Sequence, residues 1–113
     1  MSETTILHSV LRTLGARSDL RLWRQNTGVG RALSNDAVIK FGVIGGGDLS
    51  GILNDGRRLE VEVKTPAGRQ SEQQKRFQSM IETFNGVYIV TRSAEDALAQ
   101  LRARGYCLSS RCR

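Results

Sequence analysis

The sequence predicts an α/β fold: a single mixed sheet flanked by helices, with an α-β-β-β-α-β core. Three observations carry this. Apolar residues recur at helical spacing near the N-terminus and again in the C-terminal half. Short alternating segments bounded by glycine lie between them. The order helix, strands, helix, strand, helix suits one sheet with helices packed on it. At 113 residues the chain holds one domain with one core. It is too short for a dinucleotide-binding domain plus a substrate domain, and far too short for an eight-stranded α/β barrel.

The elements follow in order. Leu7, Val10, Leu11 and Leu14 fall on one helical face, so residues 3–15 read as an amphipathic helix ended by Gly15. Leu20–Arg24 reads as a short strand and Asn26–Gly30 as a loop. Ala37–Val43 is a second strand, followed by Gly45-Gly46-Gly47, where the backbone turns or approaches something closely. Asp48–Leu53 and Arg57–Thr65 are strands joined by Asn54-Asp55-Gly56, a three-residue hairpin turn with glycine in the left-handed position. Ser71 caps a helix running to Phe84, with Phe77, Met80, Ile81 and Phe84 on one side. Val87–Thr91 is a buried strand, and Ser93 caps a last helix over 94–104. The domain is expected over 1–106, with 107–113 as a C-terminal tail. The tail cysteines, Cys107 and Cys112, supply two of the roughly four ligands that zinc needs.

Charge gives the first functional direction. There are 17 Lys and Arg against 11 Asp and Glu, a net charge of +6, and 14 of the basic residues are Arg. Guanidinium groups suit bidentate phosphate contacts, so nucleic acid is one reading and a solvated surface the other. No run approaches the roughly 18 apolar residues of a membrane span, and the polar N-terminus lacks a signal-peptide core. A cytoplasmic protein with no membrane partner is therefore expected.

The chemistry concentrates in Leu59-Glu60-Val61-Glu62-Val63-Lys64-Thr65. Alternation sends Leu59, Val61 and Val63 to one face and Glu60, Glu62 and Lys64 to the other. If Leu53 pairs with Arg57 across the turn, Asp48 lies directly opposite Glu62, with Cβ atoms about 4.5–5.5 Å apart. A two-residue turn would put Val63 there instead. Facing carboxylates repel unless a positive group sits between them. A divalent cation is one solution, because Mg²⁺ takes one or two carboxylates and keeps several waters. Such a metal lowers the pKa of bound water, and Lys64 beside it would stabilise charge on a phosphoryl group. Glu60 shares this face and is expected at its rim. His8 reads as a surface or core residue, not a general base.

These residues resemble the PD-(D/E)XK nuclease superfamily, and more narrowly its VRR-NUC group, found in small stand-alone phage and bacterial proteins and as a nuclease domain of the Fanconi-associated nuclease. Gly47-Asp48-Leu49-Ser50-Gly51 resembles the family's Asp-bearing strand. Glu62-Val63-Lys64-Thr65-Pro66, Gly68-Arg69 and Ser71-Glu72-Gln73-Gln74 resemble its E-x-K strand, glycine turn and Gln-bearing helix. Leu22–Gly28 resembles a W-R-x-N-T-G stretch. The likeness spans residues 3–98.

The resemblance implies a restriction-endonuclease-like fold and a metal-dependent DNA endonuclease. It implies that Asp48 and Glu62 bind Mg²⁺ or Mn²⁺, with the Val63 carbonyl as a further ligand. Lys64 would be the catalytic lysine and Gln74 a site residue from the helix; the alternative for Gln74 is a capping box with Ser71. Family members carry a Glu on the first helix, and Glu3 is the acid available there, as third ligand or as a solvated residue. Arg24, Asn26 and Arg69 are the DNA-binding candidates; Arg24 and Asn26 alternatively pin a loop. The expected partner is DNA, including branched junctions or flaps, and the expected assembly is a homodimer. Two rivals stand beside this: a non-catalytic nucleic-acid-binding module on the same fold, and a phage structural protein.

Overall fold

The computed structural model describes residues 2–25, 28–31, 38–41 and 48–104, with backbone only for 28–31 and 38–41. The elements are α1 (Glu3–Gly15), β1 (Leu20–Arg24), β2 (Gly28–Arg31), β3 (Val38–Phe41), β4 (Leu49–Leu53), β5 (Arg58–Val63), α2 (Glu72–Thr83), β6 (Val87–Thr91) and α3 (Ala94–Ala103). The main sheet has the order β1-β4-β5-β6. Its first three strands are antiparallel neighbours, and β6 joins β5 in parallel after the α2 crossover. This is a mixed α/β fold compatible with the restriction-endonuclease-like expectation.

Two expectations change. Asn26–Gly30 was expected as a loop, yet Gly28–Arg31 is a strand. It pairs with Val38–Phe41 in a separate two-stranded sheet. Within the segment expected at Ala37–Val43, the described residues Val38–Phe41 pair with β2 and not with the main sheet. The tail, 107–113, lies outside the described residues.

The hairpin at Asn54-Asp55-Gly56 forms as its residues dictate. Gly56 adopts φ +92°, open to glycine at no steric cost. The Leu53 N–H donates to the Arg57 carbonyl, and the Gly56 N–H to the Leu53 carbonyl. That turn sets the register, with Ser50 opposite Glu60 and Leu49 opposite Val61. Gly51 is glycine for another reason. A Cβ there would run into the Arg21 carbonyl of β1 and the Leu22 side chain.

The core lies on one face of the sheet. Ile6, Val10 and Leu14 of α1 and Ala97 and Leu101 of α3 pack onto Leu49, Leu59, Val61, Val63 and Ile89. Leu7 and Leu11, expected at the centre of the α1 face, flank it. The other face is covered in part by α2, whose Phe77 ring tilts against Tyr88 at 6.3 Å between centroids. Of the expected α2 apolar set only Ile81 is buried. Met80 is exposed and Phe84 is 79% exposed, because α2 reaches only the β6 side of the sheet. Among the described residues no helix is long and apolar enough to cross a membrane.

Candidate active site

The sheet register arranges the second face as three rows. The middle row crosses all four strands: Trp23, Ser50, Glu60 and Tyr88. Below it lie Arg21, Ile52 and Arg58. Above it, the Gln25 N–H donates to the Asp48 carbonyl at 3.0 Å and carries the β1–β4 register one step further. The β4–β5 ladder ends at Leu49 opposite Val61, and its register carried one residue further brings Asp48 to the level of Glu62.

Asp48 sits just before β4 begins. Its Oδ2 accepts from the Val63 N–H at 2.7 Å, so a side chain takes over where the ladder between β4 and β5 stops. Its Oδ1 takes no hydrogen bond among the described residues. Glu62, in β5, is fully buried. Its Oε1 accepts from the Tyr88 hydroxyl at 2.6 Å and from the Gln70 amide at 3.4 Å. Its Oε2 has no hydrogen-bond partner. The ammonium of Lys64 stands 3.4 Å from that oxygen, on the same face two residues on. Burial, then the bond to Glu62, raises the Tyr88 phenol well above its ordinary pKa, so it remains a donor to the carboxylate.

Glu60 is not at the rim. It is buried and fully engaged: Ser50 Oγ donates to both its oxygens, and the Arg58 guanidinium donates twice to Oε1. A buried carboxylate needs such partners, and Ser50 is placed for it by the register. Glu60 is thus a structural charge beside a less satisfied one.

The glutamine expectation is also corrected. Gln74 closes a capping box, accepting from the Ser71 N–H at 2.8 Å while its own N–H donates to Ser71 Oγ. The first turn of α2 uses that amide for its orphan donors. The amide at Glu62 belongs to Gln70, which is held in turn by Gln78 Oε1 at 2.9 Å. Glu3 is exposed in the first turn of α1. The buried positions of that helix, Ile6, Val10 and Leu14, hold it to the apolar face of the sheet. Among the described residues no group of three or more His, Cys, Asp or Glu is gathered to hold a metal.

Val63 ends β5 between Glu62 and Lys64. Arg24 and Arg69 are exposed, Arg24 at the end of β1 and Arg69 in the segment between β5 and α2. Asn26 lies outside the described residues.

The donor set that remains is the carboxylates of Asp48 and Glu62 on neighbouring strands. The Glu62 oxygen that has no hydrogen bond stands 3.4 Å from the Lys64 ammonium, and carboxylate oxygens are the donor type that hard divalent cations take. The chain matches no family model, no curated protein and no solved structure in these comparisons.

Sequence reasoning missed Tyr88 and Gln70. The alternation in Val87–Thr91 did carry a signal for Tyr88: it sits on the face opposite Val87 and Ile89, and a buried phenol needs an acceptor. Gln70 precedes the helix cap and has no such local signal.

Proposed function

We propose that this chain is a metal-dependent DNA endonuclease of the VRR-NUC type, hydrolysing phosphodiester bonds in branched or flapped DNA. One observation supports this most: the buried Glu62 Oε2 has no hydrogen bond, faces Lys64 and sits on the strand opposite Asp48. Asp48 and Glu62 would hold Mg²⁺ or Mn²⁺, with the Val63 carbonyl as a further ligand. Bound there, the metal would polarise a phosphate oxygen and make hydroxide available near neutral pH. Lys64 supplies a positive charge for the phosphoryl oxygens as negative charge builds on them. Tyr88 and Gln70 aim the Glu62 carboxylate. The net charge of +6 favours a polyanionic substrate.

Cleavage of flapped and branched DNA with Mn²⁺ tests the reading. Asp48→Asn or Lys64→Ala is expected to abolish cutting while the far-ultraviolet spectrum stays unchanged. Full activity in either variant would overturn the site. The assembly proposed is a homodimer with one site per DNA strand, and a monomer mass in light scattering at micromolar concentration contradicts it.

A second reading is a nucleic-acid-binding module without catalysis. The Lys64–Glu62 ion pair favours it, because Lys64 already faces the carboxylate with a positive charge. Calorimetry separates the two. Heat from Mn²⁺ that disappears in Asp48→Asn supports the nuclease; salt-sensitive DNA binding with no Mn²⁺ heat supports the module.

A further inference from the structure

Trp23 is the single tryptophan of the chain, and in β1 it is 46% exposed. It lies on the same sheet face as the carboxylates, in register with Ser50. Indole is a large apolar surface to leave in water, and about half of Trp23 remains accessible. Asp48 is its diagonal neighbour across the β1–β4 pair, a relation that places Cα atoms about 7–8 Å apart, within reach of an aromatic side chain.

Positive charge lies in the next row of the same face. Arg21, two residues earlier, is exposed and its Nη1 donates to the Leu20 carbonyl at 2.9 Å, leaving the other guanidinium N–H groups for a ligand. Arg58, across Ile52, keeps its side chain 51% exposed while pairing with Glu60. The face therefore runs from an arginine row, through an exposed indole, to the paired acids. Adjacent rows are two residues apart, about 6.5 Å. That spacing is of the size of one extended nucleotide.

We infer that Trp23 is a stacking platform for an unpaired DNA base beside the phosphate that a metal at Asp48 and Glu62 would hold, with the exposed arginine row of Arg21 and Arg58 supplying positive charge toward the neighbouring backbone. This rests on the nuclease reading and narrows its substrate to strands with an unstacked base at the cut. A paired base keeps its π-face inside the duplex stack, and a single-stranded or flapped base offers it to the indole. Arginine in the adjacent row adds charge complementarity for phosphate.

The test needs neither metal nor cleavage. In EDTA at low salt, a short single-stranded DNA is titrated into the protein and the intrinsic fluorescence of Trp23 is read. Saturable quenching by the single strand, with much weaker quenching by a blunt duplex of equal length, is the expected result. Fluorescein anisotropy of the same strand then compares variants. Trp23→Ala is expected to weaken binding about tenfold, and Trp23→Phe, which keeps a ring, to stay within a few-fold of the parent. Equal quenching by strand and duplex, or unchanged binding by Trp23→Ala, would overturn the inference. Because no cutting is measured, loss of the nuclease reading leaves these outcomes readable. Conversely, robust cleavage with a silent Trp23 removes only the stacking platform.

Discussion

Leu59, Val61 and Val63 on one side of β5 and Glu60 and Glu62 on the other are equally withdrawn from water, yet different forces hold them. The apolar side is held by area. Its neighbours are helix side chains from α1 and α3, and any well-packed aliphatic group serves. The acidic side is held by matched partners. Glu60 is supplied with Ser50 and Arg58, whereas Glu62 receives Tyr88 and Gln70 on one oxygen and leaves the other without a hydrogen bond. Equal burial therefore hides unequal satisfaction: both Glu60 oxygens take hydrogen bonds, whereas Glu62 Oε2 has only the Lys64 ammonium at 3.4 Å.

Three substitutions probe this difference, the largest effect first. Leu59→Ala opens a cavity on the apolar side and is expected to destabilise by about 2–5 kcal/mol in urea unfolding. Tyr88→Phe removes the short bond to Glu62 and is expected to cost about 1.5–3 kcal/mol, the range for hydrogen bonds to a charged group. Ser50→Ala leaves Glu60 with Arg58 and is expected to cost about 1.5 kcal/mol, the low end of that range. If Ser50→Ala proves worse than Tyr88→Phe, the partner count on Glu62 is not what sets the acidic side.

Alkaline pH sharpens the comparison. The Tyr88 phenol is held above its ordinary value of 10.0 by burial and by Glu62. The native state thus keeps a proton that the unfolded chain releases. Its contribution is fully present below about pH 10 and lost as pH rises above it. Tyr88→Phe should flatten the fall of Tm on that side, and an unchanged slope would show that Tyr88 does not contribute it.

Much of this was legible in the chain because local chemistry decided it. Asn54-Asp55-Gly56 demanded a three-residue turn, and that turn gives the register observed from Ile52 opposite Arg58 to Leu49 opposite Val61. What was not legible depended on packing between distant segments. The choice between Gln70 and Gln74 turned on the helix using Gln74 for its own cap. The burial of Glu60 turned on Ser50 and Arg58 arriving together. The β2 strand was hidden because Gly28 and Gly30 read as loop residues.

The bond from the Val63 amide to Asp48 has a spectroscopic consequence. A main-chain N–H that donates to a carboxylate, and not to a peptide carbonyl, resonates according to what that carboxylate is doing. The Val63 amide is therefore a built-in reporter: its chemical shift and exchange rate would register the replacement of Asp48 by Asn or the arrival of a cation, without any substrate being turned over.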